Sequence, residues 1–239
     1  MAYVGQKDYN LEVLSGNVPG HAMVNIRGHD NTVPNGGPFG LSQGFGAGGY
    51  VFDHTNDNVA GTGALTVRIS GLDASGNAQS NDVTMTGTTA ANTASTFSAV
   101  FQVMVLTTGS SNFNTGVIYV GTGTFTAGIP AVRMLSMTIS FNISLSAYYV
   151  VPTGKTLYAR QFISTVGSSN KDVQIFIVTS SDGIQMYKQI EFGLEGGELT
   201  TDIIGLPGFV AGTHISLLAS GGAAGTDVTA IVAGELIDN

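Results

Sequence analysis

The chain has 239 residues, of which 43% are apolar and only 10% are charged, against about 25% charged in typical proteins. The net charge of −8 argues against binding to a phosphate backbone, and the absence of cysteine excludes disulfides and thiolate metal sites. No apolar run approaches the ~18 residues of a membrane-spanning helix, and residues 1–9 lack the apolar core of a signal peptide. We therefore expect a protein that binds neither nucleic acid nor membranes.

Residues 1–63 are predicted to form an extended, glycine-rich N-terminal arm. Residues 16–63 hold 12 of the 34 glycines and three of the six prolines, and they show little hydrophobic periodicity. The aromatic residues in this segment leave two interpretations open: a loop that lies on its own domain, or an arm that becomes ordered against a partner subunit. The second interpretation gives the candidate interface residues Arg27, His29, Phe39, Phe45, Tyr50 and Phe52.

Residues 64–130 are predicted to form a first β-sandwich domain. Apolar and polar residues alternate along residues 65–70 and again along 82–86, and the segment between them is rich in turn-forming residues. Residues 97–106 are apolar on both faces, which is typical of a strand that is covered on both sides.

Residues 131–239 are predicted to form a second, jelly-roll-like sandwich domain. Strict alternation over residues 135–146 predicts one long strand, or two strands with a slight bend. Asp-Gly at 182–183 predicts a hairpin, and alternation resumes near the end at 226–236. Turns that recur every 8 to 15 residues favour antiparallel β-sandwiches over βαβ units, although a single large jelly roll would fit nearly as well.

Several motifs resemble binding sites only in part. Gly44–Gly49 matches G-x-G-x-x-G, but the strand and helix that a dinucleotide site needs do not flank it. Asp53, His54 and Asp57 resemble part of a metal site, as does the pair His29 and Asp30, yet solvated loop residues are the simpler interpretation. The polar residues of 73–77 are interpreted as a hairpin turn and not as a calcium loop.

No catalytic constellation is recognisable. The chain has no G-x-S-x-G motif, and its four histidines have no evident orienting partner. His214 lies in an alternating segment and is interpreted as a solvent-face or interface residue. Glu191, Glu195 and Glu198 crowd one glycine-containing loop, but the absence of Trp disfavours a glycosidase cleft. The prediction is therefore a protein that is not an enzyme and that uses no cofactor or metal.

Several stretches resemble a family of structural proteins from tailed bacteriophages, especially marine and cyanobacterial phages. The stretches are Gly16–Asn25, Thr66–Asp73, Val83–Thr88, Ala147–Thr156, Thr201–Ile203 and Thr226–Asn239. The segment after Asn25 departs from the family pattern, because glycines replace a more acidic and aromatic stretch. The resemblance implies a virion component that is made in the host cytoplasm.

The acidic charge favours the outer capsid surface over a position beside the packaged genome. We therefore expect a capsid decoration, or cement, protein that bridges neighbouring major capsid subunits, with the 16–63 arm as a clamp. Its expected partners are the major capsid protein and further copies of itself, as a homotrimer. A tail or head-fibre protein that adheres to the host is the alternative, and an enzyme acting on host polysaccharide is a third class.

Overall fold

Strands dominate the part of the chain that the structure describes. The computed structural model describes residues 9–33, 39–40, 50–52, 57, 60–126, 129–167, 172–181, 185, 187–221 and 226–239. A short helix, α1 (Tyr9–Leu14), which the sequence analysis missed, precedes the described strands. The strands are β1 (His21–Val33), β2 (Phe39–Gly40), β3 (Tyr50–Phe52), β4 (Ala64–Leu72), β5 (Ala78–Thr84), β6 (Ala91–Asn92), β7 (Ala99–Thr108), β8 (Ile118–Thr126), β9 (Ile129–Met137), β10 (Ile143–Leu145), β11 (Tyr148–Val150), β12 (Lys155–Val166), β13 (Asp172–Ser180), β14 (Tyr187–Glu195), β15 (Gly197–Asp202), β16 (Phe209–Val210), β17 (His214–Gly221) and β18 (Thr226–Asp238). The prediction of an all-β protein is confirmed.

Two antiparallel sheets form what we call the larger unit. Sheet I has the order β1-β18-β12-β15, with β16 also paired to β12; sheet II has the order β11-β17-β13-β14, with β2 also paired to β17. A buried apolar cluster draws on both sheets, with Phe162 and Val232 from sheet I and Ile175 and Leu217 from sheet II. Because the cluster lies between the inner faces of the two sheets, the unit is β-sandwich-like.

Two further antiparallel sheets form the smaller unit. Sheet III has the order β10-β7-β4-β5, and sheet IV has the order β6-β3-β8-β9. Val67 and Ile69 of β4 are fully buried against Val120 of β8, whereas Arg68 faces outward. The alternation that the sequence shows in β4 therefore separates a core face from an outer face, as expected for a strand.

The long alternating segment at 135–146 is not one strand. β9 ends at Met137 and β10 begins at Ile143, and the residues between them form a turn in which Ser140 and Asn142 adopt positive φ values of 66° and 56°. The two strands also join different sheets. Alternation predicts which residues share a face only while the backbone stays extended, and the left-handed residues break that condition.

The described stretches of the predicted arm pair with the chain's own sheets. β1 lies beside β18 from His21↔Ile237 to Val33↔Thr226, and β2 pairs with β17. β3 pairs with β6 and β8 of the smaller unit. In these stretches the pairing agrees with the first of the two interpretations, in which the segment lies on its own chain.

Strand pairing also divides the chain differently from the predicted boundaries 1–63, 64–130 and 131–239. β1 belongs to the larger unit, whereas β9 and β10, placed in the second domain by the prediction, pair within the smaller unit. The Gly-Thr repeat at 121–124, next to the predicted boundary at 130, lies inside β8, where Gly123 at φ 84° accompanies a register shift. The predicted folding units and the jelly-roll connectivity stay predictions.

The two units meet in a small apolar junction. Leu72 and Ala99 of the smaller unit pack with Tyr148 and Val150 of the larger unit. The turn after β4 also contacts the larger unit, because Thr153 N donates to Gly76 O at 2.9 Å.

Candidate interaction surfaces

Asp57 is fully buried and accepts backbone hydrogen bonds at one end of the smaller unit. Its Oδ1 accepts from Ala64 N at 2.5 Å and from Thr115 N at 2.9 Å, while its Oδ2 accepts from Gly116 N at 2.7 Å. A Cβ at Gly63 would overlap the carboxylate, which explains the glycine there. Burial corrects the interpretation of Asp57 as a solvated loop residue: the carboxylate satisfies N–H groups that would otherwise be buried without partners.

Two asparagines hold two loops together next to the buried Asp57. Asn114, which is fully buried, and Asn142 accept hydrogen bonds from each other's backbone N–H through their side-chain oxygens, at 3.2 and 3.3 Å. Asn142 Nδ2 donates to Asn112 O at 2.9 Å, and Ser140 N donates to Asn114 O at 3.1 Å. The 109–117 loop and the 138–142 turn are therefore held together by neutral groups.

The braced loops present large apolar side chains to solvent. We call these residues the tip patch: Phe113, Ile139, Phe141 and Ile143, which are 40%, 46%, 60% and 44% exposed. Isolated exposed apolar residues are ordinary, but a group held on two tied loops is typical of an interaction surface.

The 109–117 loop and the 138–142 turn lie at the end of the smaller unit that faces away from Leu72 of the junction. β4 begins at Ala64, which bonds to Asp57 beside the tip loops, and it ends at Leu72, which packs in the junction. Nine residues of strand at ~3.3 Å per residue separate the two ends by roughly 25 Å. The tip loops therefore lie at the far end of β4 from Leu72, whereas Ile143 begins β10, which also contacts β1 of the larger unit.

The described residues among those predicted as an interface lie in strands of three different sheets. Arg27 and His29 lie in β1 of sheet I, Phe39 lies in β2 of sheet II, and Tyr50 and Phe52 lie in β3 of sheet IV. Arg27 is exposed, and its backbone N donates to Ser146 O at 3.2 Å. Phe45 lies outside the described residues, as do Asp53, His54 and the G-x-G-x-x-G motif at 44–49.

A charged cluster joins α1, β1, β12 and β18 of the larger unit. Glu235 is only 3% exposed, and its carboxylate bonds to Tyr9 Oη at 2.5 Å, His21 Nδ1 at 2.7 Å and Arg160 Nη2 at 2.8 Å. Arg160 occupies a β-bulge, where Ala159 pairs with Gly234 but Gln161 pairs with the next residue back, Ala233. The bulge directs Arg160 away from the core and toward Glu235. Burial raises the pKa of Glu235, but hydrogen bonds from Tyr9, His21 and Arg160 outweigh burial and lower it to about 2.

A groove of about 280 Å³ opens at one end of the larger unit. Its lining residues come from the end of β13, the start of β14, the segment around β16 and the residue before β17: Thr179, Ser180, Ser181, Tyr187, Gln189, Pro207, Gly208, Phe209, Val210 and Thr213. None of these lining residues is charged. The groove carries no sequence signal, because its residues are common β-sheet residues from four separate segments.

The other predicted site residues take structural positions. Glu191 and Glu195 lie in β14 and Glu198 in β15, not in one loop, and Lys188 Nζ bonds to Glu191 Oε2 at 2.6 Å. Asp73 forms the predicted hairpin turn, because its Oδ1 accepts from the backbone N of Ser75 and Asn77 at 2.8 and 2.9 Å. His214 hydrogen-bonds to Tyr148 Oη next to the junction.

Within the described part of the chain, no group of three or more His, Asp or Glu side chains could hold a metal ion. A search of the same residues for a helix that is long and apolar enough to cross a membrane found none. No protein-family model, curated protein or solved structure matches the chain.

Proposed function

We propose that this chain is a capsid decoration protein of a tailed bacteriophage and that it attaches to the major capsid protein through the tip patch. The observation that carries the proposal is the exposure of Phe113, Ile139 and Phe141 on the braced loops, together with Ile143 at the start of β10. Fully burying such a side chain contributes about 1.5–3 kcal/mol. A few of these contacts, repeated around a symmetric particle, suffice to hold a decoration protein in place.

The surroundings of the tip patch also favour a protein partner. The groups that tie the loops together are neutral, so docking would not desolvate a charged group on them. They belong to Asn112, Asn114, Ser140 and Asn142. The low overall charge of the chain acts in the same direction. An interface of this composition has an apolar centre and a hydrogen-bonding rim, which is the usual organisation of protein interfaces.

This proposal assigns the capsid contact to the tip patch and not to the 16–63 arm. β1, β2 and β3 all lie within that arm, and they pair with strands of the same chain. Deleting residues 1–60 would therefore remove strands from three sheets, and loss of capsid binding would not identify a clamp. Point substitutions at exposed side chains give a cleaner test.

The test measures cosedimentation with capsids of the phage that encodes the chain, depleted of this protein. The double variant Ile139→Ser with Phe141→Ser is expected to bind at least about tenfold more weakly, because it removes two apolar contacts. Ile204→Ser is the matched control, since Ile204 is 88% exposed but lies in the larger unit. Equal binding by wild type and double variant would contradict the proposal, as would equal weakening by both variants.

A tail or head-fibre protein that adheres to the host is the second candidate, and the groove in the larger unit is the observation that favours it. Copy number in the intact particle separates the two functions. On the order of hundreds of copies fit capsid decoration, whereas roughly six or twelve fit a tail or a vertex. Quantitative mass spectrometry of purified virions measures this number directly.

A further inference from the structure

The groove in the larger unit lies where the core between sheets I and II opens to solvent. Thr179, near the end of β13, pairs with Tyr187 of β14 on one side and with Ile215 of β17 on the other. Phe209 of β16 closes the base, and β16 is held to sheet I by its pairing with β12. The groove is therefore bounded by strands of both sheets.

A β-bulge places a hydrogen-bonding side chain at the groove. In the β13–β14 ladder, Ile177 pairs with Ile190 and Val178 pairs with Lys188, so Gln189 is the extra residue. Gln189 Nε2 donates to Thr179 Oγ1 at 2.7 Å. Bulges are common beside binding sites because they redirect one side chain out of the regular alternation.

The ring of Tyr187 forms an exposed wall of the groove. Tyr187 is 57% exposed although it is a large aromatic residue, and its hydroxyl donates to Gln185 Oε1 at 2.9 Å. Val210, which is also exposed, adds a second apolar element to the lining. The ring is thus oriented by a hydrogen bond and still accessible to a ligand.

The lining chemistry selects a ligand class. Thr179, Ser180, Ser181, Gln189 and Thr213 offer hydroxyl and amide groups, which both donate and accept hydrogen bonds. Among the described residues that line the groove, no side chain carries a charge, so an ionised ligand would lose hydration against them without gaining a counter-charge. A suitable ligand is therefore neutral, rich in hydroxyl groups and apolar on one face.

We propose that the groove binds a neutral saccharide, with one sugar ring stacked on Tyr187 and its hydroxyls hydrogen-bonded to Gln189 and the neighbouring hydroxyl side chains. The volume of 280 Å³ lies near the lower end of the ~300–1,000 Å³ typical of small-molecule pockets, so the site accommodates one or two sugar rings. This binding site is separate from the tip patch, and it does not depend on the proposed capsid attachment.

The test titrates the full chain with neutral oligosaccharides of glucose, galactose, mannose and N-acetylglucosamine, using saturation-transfer difference NMR. Sialyllactose and glucose 6-phosphate are the ionised comparison ligands. At least one neutral sugar is expected to bind. Tyr187→Ala is expected to weaken its binding about fivefold to tenfold, Gln189→Ala to weaken it less, and Tyr187→Phe to retain most of it.

Phe141→Ala is the matched control, because Phe141 is an aromatic residue of similar exposure that belongs to the tip patch. It is expected to leave sugar binding unchanged and to weaken capsid binding, and Tyr187→Ala is expected to do the reverse. Failure of one proposal is therefore distinguishable from failure of the other. Three results would overturn the saccharide site: no binding of any neutral sugar, preferential binding of the ionised ligands, or binding that is insensitive to Tyr187→Ala.

Discussion

Glu235 shows how one residue can hold a terminal segment against a sheet. The carboxylate is buried, yet it remains ionised because Tyr9, His21 and Arg160 all bond to it. Tyr9 belongs to α1, so the same carboxylate ties the helix to sheet I. Hydrogen bonds to an ionised group are each worth more than bonds between neutral groups, so this cluster is a strong polar attachment of α1.

We expect the contribution of Glu235 to stability to depend on pH. The folded pKa of about 2 lies below the ordinary value of 4.5, so the contribution is fully present above pH 4.5 and is lost as the pH falls from 4.5 toward 2. Glu235→Gln should lower the free energy of unfolding at pH 7 by about 1–3 kcal/mol and should reduce its acid dependence in that window. Urea denaturation at pH 7 and pH 3 measures both effects.

Glu198→Gln is the control for Glu235→Gln, because Glu198 is an exposed carboxylate in β15. It should change the free energy of unfolding by less than about 0.5 kcal/mol at either pH. An acid dependence that is the same in wild type and in Glu235→Gln would contradict the role given to Glu235.

Individual residues show which parts of the site could be predicted from the sequence and which could not. The turn role of Asp73 was predictable, because its partners lie two and four residues away. The role of Asp57 was not, since its donors lie 7, 58 and 59 residues away and a buried aspartate looks the same in sequence as a solvated one. Glu235 was missed for the same reason, because its partner Tyr9 is 226 residues away.

At the scale of elements, the 138–142 turn decides where the tip patch is presented. The turn breaks an alternating run and transfers the chain from sheet IV to sheet III. Asn142 combines a positive φ with three hydrogen bonds to the 109–117 loop. Asparagine tolerates this conformation better than most residues, and its amide group supplies the bonds.

Asn142→Ala should therefore loosen the tip loops. The variant loses two side-chain hydrogen bonds and places alanine in a left-handed conformation, so we expect a destabilisation of about 1–3 kcal/mol. Hydrogen exchange should accelerate in the 109–117 loop and the 138–142 turn, while exchange in the larger unit stays unchanged. Mass spectrometry of peptides from both regions measures the difference.

Ser140→Gly is the matched control, because Ser140 also has a positive φ and glycine adopts it without strain. It should leave exchange in both loops near the wild-type rate. Equal exchange in Asn142→Ala and the wild type would show that the asparagine brace does not order the tip.

The element scale also shows what local pattern can and cannot predict. The hairpin between β13 and β14 was predicted by the alternating segments around Asp182-Gly183, and the two strands do pair, although the turn residues themselves lie outside the described residues. The alternation at 135–146 predicted strands correctly at both ends, but not the turn between them. Ser140 and Asn142 carry no signal as strong as Gly or Pro, so the break was invisible in the sequence.

At the scale of the whole molecule, the apolar junction is one of several contacts between the two units, beside the packing of Phe101 on Tyr149. Leu72 is almost fully buried there against Tyr148 and Val150. Removing a buried leucine side chain typically costs about 2–5 kcal/mol. Because the loss falls on the contact between the units, we expect it to affect cooperativity as well as stability.

Leu72→Ala should convert one calorimetric unfolding transition into two, as the larger and smaller units begin to unfold separately. Val67→Ala is the control, because Val67 is fully buried in the core of the smaller unit and away from the junction. It should lower the stability without separating the units. A single transition in Leu72→Ala, shifted as much as in Val67→Ala, would show that the junction does not couple them.

The pairing of β1 with β18 has a consequence for the order of events on the ribosome. β1 emerges before every other described strand, but its partner emerges only with residues 226–238, so sheet I stays open until then. The strands of the smaller unit are synthesised in between and find their partners within residues 50–145. The smaller unit can therefore fold during translation. Until β18 is synthesised, β1 remains unpaired, and its edge can pair with other nascent chains.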